Sequence, residues 1–195
     1  MILTSIKEST REFHQEIEEL AYSNKITDNS LSLEEYKRIL VVNYIFNKNL
    51  ENKILENNDI KLIEELDFYS RLKSSLIEED LRNVGIDPKE VFKAIDLSHI
   101  SDLYSSLGYL YLSEGSTLGG NVICKKLKEN ENLKNIDKFN FYGCYGDNIG
   151  PKWKIFCQVM AKEVNEVNED KVINSAHKAF NNYIIIFKSV ANFSL

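Results

Sequence analysis

Prolines are almost missing from this sequence, two in 195 residues, so very little of the chain is barred from helix. Long period-two alternation of apolar and polar residues is missing too, which excludes an extended sheet, and no repeat or low-complexity linker breaks the chain. The longest uninterrupted apolar stretches, such as Tyr183 to Phe187, fall far short of a membrane span. The opening MILTSIKEST has neither a long apolar core nor a small-residue cleavage site, which predicts a soluble protein that is not exported. Cysteines are few and odd in number, and Cys124, Cys144 and Cys157 show no C-x-x-C spacing. Neither a disulfide framework nor a zinc site is expected, and a reducing cytoplasm fits. Positive charge is outnumbered: a net charge of -6 argues against a general binder of nucleic acid or of anionic membrane. What is present is apolar residue in quantity, 43%, enough for one domain over residues 1–195 with a sizeable core.

The apolar residues recur at helical spacing. Leu3, Ile6, Thr10, Phe13, Ile17 and Leu20 step by three and four, predicting a first helix that carries His14. Ser32 and Glu35 form a capping box at the head of a second, patterned through Ile54. A third helical region is expected from about Ile60 to Val84, with a break near Asp67 and an end marked by Gly85 and Pro88. Asp102 to about Glu129 reads as one long helix despite its glycines, Pro151 suits the first turn of a fifth helix reaching about Val164, and Glu169 to Lys188 supplies the last. The fold class that follows is all-α, a single-domain helical bundle.

Four features could carry chemistry. Lys7 and His14 lie seven residues apart, nearly two turns, so both leave one side of the first helix about 10 Å apart along its axis. An iron-ligating imidazole and a cation for an acidic ligand group need about that spacing, and Glu18, one turn on, is placed to hydrogen bond the other ring nitrogen. On periodicity alone, a histidine beside an apolar stripe is more often a satisfied core residue. The second feature is Gly115-Ser116-Thr117-Leu118-Gly119-Gly120, whose three glycines cost a helix about 2 to 3 kcal/mol relative to alanine. A flat ligand lying on bare backbone would offset that cost, as would close helix packing. Third is Trp153-Lys154 after the loop Phe141 to Asp147, where the lysine either pairs with an acidic ligand group or is solvated. Fourth is a basic cluster, Lys125, Lys126 and Lys128, which is either a docking site for an acidic electron donor or a set of helix-terminal lysines complementing the dipole. A di-iron site is disfavoured, because Asp96-Leu97-Ser98-His99 is the one near match to the paired motif that such bundles need. His99 and His177 read as structural or exposed.

Together these segments resemble the haem oxygenase family, above all its bacterial members, over nearly the whole chain. Ile6 to His14 resembles the proximal-helix signature, Arg71-Leu72 with Asp80-Leu81 and Gly85 a following segment, and Leu110 to Ile123 the distal-helix motif. Tyr142 to Trp153 and Ala176 to Phe187 are similar to the loop and last helix that come after. The resemblance implies haem b, as substrate and cofactor together, between a proximal helix and a glycine-containing distal helix. It implies His14 as the metal ligand, and His14, Gly115, Ser116 and Gly119 as the catalytic set. For haem binding it implies Lys7, Glu18, Tyr111, Gly115, Gly119, Gly120, Lys154 and Phe180 beside His14. The activity implied is oxidative cleavage at a meso carbon to biliverdin, carbon monoxide and ferrous iron, using O2 and an external electron donor such as a ferredoxin, flavodoxin or reductase. Two departures stand out. Ser116 occupies the place of an aspartate in animal members, and Gln158 that of a propionate-binding arginine, which leaves room for a non-degrading haem-binding protein on the same fold.

Overall fold

The computed structural model describes residues 2–56 and 59–190. Among these residues there is no strand, and ten α-helices follow in order: α1 Ile2–Ser9, α2 Arg11–Leu20, α3 Ser23–Thr27, α4 Leu33–Glu56, α5 Ser74–Asn83, α6 Pro88–Val91, α7 Leu103–Gly115, α8 Gly120–Glu129, α9 Ile149–Glu163 and α10 Glu169–Val190. None of them is long and apolar enough to cross a membrane. Their buried side chains merge into one hydrophobic cluster, centred on α4, α7 and α10 and closed by aromatic contacts such as Phe46 against Tyr109 and Tyr183.

Local chemistry sets the helix ends. Ser32 and Glu35 exchange the reciprocal bonds of a capping box at the head of α4, and Asp102 with Ser105 does the same for α7. Gly85, at φ +80, closes α5, as the glycine was expected to.

Three expected helices are divided. The first breaks at Thr10 into α1 and α2, although the hydrogen bonds from Thr10 N–H to Ile6 and from His14 N–H to Thr10 carry the chain across the joint. The Thr10 hydroxyl, fully buried, donates to the Ile6 carbonyl at 2.7 Å and competes with the regular helix ladder there. The third region is α-helical only from Ser74 onward. Before that it runs as short 3-10 turns, Ile60–Leu62, Glu64–Leu66 and Phe68–Arg71, with Asp67 in the left-handed region at the expected break. The long helix over Asp102 to Glu129 separates into α7 and α8 through the turn at 116–119, where the Ser116 and Thr117 hydroxyls bond back to the carbonyls of Ser113 and Glu114. Clustered glycine, serine and threonine lower helix propensity enough for such a turn to win.

Where α7 crosses α10, the contact is made of backbone: a β-carbon on Gly108 would lie 2.5 Å from the Val172 carbonyl oxygen, and Ser175 donates to the Ser105 carbonyl at 2.6 Å. Behind α7 sits a fully buried charge cluster that the sequence did not announce. Glu114 accepts from Arg71, from Lys73 at 2.7 Å and from the Tyr145 hydroxyl at 2.9 Å. Arg71 also donates to the carbonyls of Leu66 and Lys152, and Lys73 to Ser113. Burial alone would push the Glu114 carboxyl up, but Lys73 and Arg71 outweigh it and hold the group below its ordinary range. Asp80 plays a similar anchoring part for the loop after α8, accepting from the backbone N–H groups of Asn140 and Phe141.

Candidate functional site

A cavity of about 790 Å³ opens between α1–α2 on one side and the end of α7 on the other. Leu3, Thr4, Lys7, Glu8, Arg11 and His14 line it from the first two helices, and Tyr111, Gly115, Leu118 and Trp153 from the opposite side. The volume is that of a typical small-molecule site.

Each lining residue is there for a local reason. Lys7, Arg11 and His14 follow at steps of four and three, and their neighbours Ile6 and Thr10, fully buried, seat the two helices on the core. Lys7 and Arg11 are exposed, so two cations stand at the mouth. His14 is half-buried deeper in. Burial lowers the imidazole pKa from its ordinary 6.5, partly opposed by Glu18 one turn on, and the neutral ring with a free lone pair is favoured. Phe180 of α10 meets that ring edge-on, with centroids 4.6 Å apart. Across the cavity, Tyr111 and Trp153 pack together at 5.9 Å to make an aromatic wall. At Gly115 a β-carbon would meet no atom within 4 Å, so the helix there presents backbone to open space.

The expected site residues therefore divide. His14, Lys7, Tyr111 and Gly115 come together on the cavity. Glu18 is exposed beyond the pocket and acts on His14 through charge. Ser116 is exposed, its hydroxyl turned back on the Ser113 carbonyl. Gly119 belongs to the turn, where its β-carbon would touch the Ile123 side chain at 3.4 Å, and Gly120 is pressed against the loop, where a β-carbon would lie 2.6 Å from the Tyr142 carbonyl oxygen. Lys154 is exposed, and its neighbour Trp153 takes the place on the cavity. Phe180 stands behind His14 and Tyr111. Arg11 was not among the expected binding residues, although its position four after Lys7 is the signal that would have found it. His99 bonds the Tyr109 hydroxyl at 2.9 Å, and His177 packs on Phe13 with its buried Nε2 unpartnered.

The arrangement can accept a large, flat, acidic ligand, with cations for its carboxylates, aromatic and backbone surfaces for its faces, and a neutral nitrogen for a metal at its centre. Among the described residues, no group of three or more His, Cys, Asp or Glu is placed to hold a bare metal ion.

Comparison with known proteins bears on this geometry. The sequence model of the family described as Heme oxygenase matches residues 1–189. The heme oxygenase PigA of Pseudomonas aeruginosa is 27% identical over 175 residues, 89% of this chain and 85% of that protein. The NO- and CO-bound heme oxygenase of Neisseria meningitidis has a similar fold, with a TM-score of 0.74 at 21% identity, over 100% of this chain and 94% of that one. Heme oxygenase-1 of the cyanobacterium Synechocystis, in complex with heme, gives 0.73 at 16% over 96% and 91%. The heme oxygenase of Leptospira interrogans gives 0.73 at 18% over 96% and 98%.

Proposed function

The chain belongs to the heme oxygenase family, and from that premise we propose that it binds haem in the cavity and opens the macrocycle at a meso carbon, releasing biliverdin, carbon monoxide and ferrous iron. Haem is substrate and cofactor together, and when bound its iron supplies the oxygen chemistry. The observation that carries the reading is the pairing, across one cavity, of a neutral-favoured imidazole with the bare backbone of Gly115 at the end of α7.

The residues present fit the group. His14 offers a lone pair to the iron without first having to shed a proton. Lys7 and Arg11, exposed on the cavity, would hold the propionates. Tyr111 and Trp153 cover apolar surface and keep bulk water from that side. Gly115, with no atom within 4 Å of where a β-carbon would stand, would leave room beside the bound group for O2. Electrons come from a ferredoxin, flavodoxin or reductase, in a cytoplasmic setting.

One observation favours a second reading. The Ser116 hydroxyl is exposed and engaged with Ser113, so no acidic or hydroxylic side chain of the 115–119 segment lines the cavity, as suits a protein that stores or delivers haem intact. A single experiment separates the two: haem is added to the purified protein, then a reductant in air, and absorbance is followed. Conversion to a bilin spectrum supports the oxygenase, and a persisting haem spectrum the carrier. His14→Ala should abolish the histidine-ligated Soret and visible bands, and an unchanged spectrum in that variant sinks both readings.

A further inference from the structure

The helix that bears His14 buries none of its residues completely. It cannot by itself fix the imidazole, because the terminal torsion of a histidine is broad and weakly restrained. The restraint comes from 166 positions further along the chain. Phe180, on α10, is fully buried, and its ring stands at 72° to the imidazole with centroids 4.6 Å apart, the edge-to-face arrangement that aromatic quadrupoles prefer. The same ring lies 5.9 Å from Phe13, the residue before His14, and 6.5 Å from Tyr111 on the opposite wall. Phe180 is not among the residues lining the cavity. It reaches the imidazole from behind, and it is held against α2 on one side and α7 on the other.

We propose that Phe180 is the positioning residue of His14: its ring fixes the plane in which the imidazole meets the iron, without being a principal surface for the porphyrin. This rests on the reading of His14 as the haem ligand. A rigid imidazole loses no further freedom on ligation, and an edge-to-face aromatic contact is worth about a three- to tenfold difference in population.

The test uses Phe180→Leu, Phe180→Met as a volume-filling alternative, and Phe180→Tyr, which keeps the ring. Side-chain relaxation of isotopically labelled His14 is first measured by NMR in the haem-free proteins. Wild type and Phe180→Tyr should show one ordered imidazole orientation, and the two aliphatic variants at least two in exchange. With ferric haem bound, the aliphatic variants should keep a histidine-ligated Soret band but give broadened electron paramagnetic resonance lines and lose haem about three- to tenfold faster. Should Phe180→Leu fail to fold, Phe180→Met is read in its place. An imidazole as ordered in the aliphatic variants as in wild type overturns the proposal. If instead wild-type protein gives no His14-dependent haem spectrum, the haem assignment fails, while the NMR result still decides whether Phe180 holds the ring.

Discussion

Two glycines on either side of the 116–119 turn serve opposite ends. Gly115 keeps a neighbour's place empty, whereas Gly120 lets the Tyr142 carbonyl come closer than any β-carbon would allow. Gly115→Leu should therefore cut haem affinity more than tenfold, as followed by Soret titration, while the melting midpoint holds or rises, because replacing a helical glycine gains up to about 1 kcal/mol. Gly120→Ala should instead lose about 1 to 3 kcal/mol in urea unfolding, the usual cost of overpacking. His14 sets a pH limit. Its folded pKa lies below the unfolded 6.5, so above pH 6.5 both states are neutral and nothing changes. As pH falls through 6.5 toward the folded value, the unfolded chain takes up a proton that the native ring resists, and stability declines across that window. Haem affinity should hold to below pH 6.5 and then drop about tenfold per unit once the folded pKa is passed. Soret titrations between pH 5 and 8 check this, and a break above 6.5 would contradict it.

At the scale of elements, Arg71, Lys73 and Glu114 tie the stretch before α5 to the end of α7, next to the cavity. Glu114→Ala strands two buried cations and should cost about 3 to 5 kcal/mol in chemical denaturation. A loss below 1 kcal/mol would mean that water reaches the cluster. Helices with steady apolar spacing, α4 with its capping box and α10, were legible from residues alone, since each follows from its own local pattern. The division of α7 from α8 was not, because side-chain hydroxyls of Ser116 and Thr117 competing for helix carbonyls leave no mark on periodicity. Nor was the charge cluster, whose two cations lie 43 and 41 residues from Glu114 in sequence and meet it only through packing. For the site, the i, i+7 spacing of Lys7 and His14 was read from the sequence, while Arg11 between them was passed over. The turning away of Lys154 in favour of Trp153 was not, since it depends on where α9 lies against Tyr111.

For the whole molecule, the cavity lies between segments far apart in the chain, so a ligand filling it should stabilise the entire native state. At a hundredfold excess over its dissociation constant, haem adds about 2.7 kcal/mol. For a protein of this size that is a rise of roughly 5 to 10 °C in melting temperature, measurable by calorimetry and absent in His14→Ala. The buried cluster has a further consequence for how the chain assembles. Glu114 finds its partners only when three segments, those of Arg71–Lys73, of α7 and of Tyr145, have all arrived. An intermediate with any one of them undocked would carry mismatched charge in an oily interior, which no partial structure tolerates cheaply. Half-assembled forms are thereby depopulated, and unfolding should be all-or-none around that seam: the pocket either exists complete or does not exist.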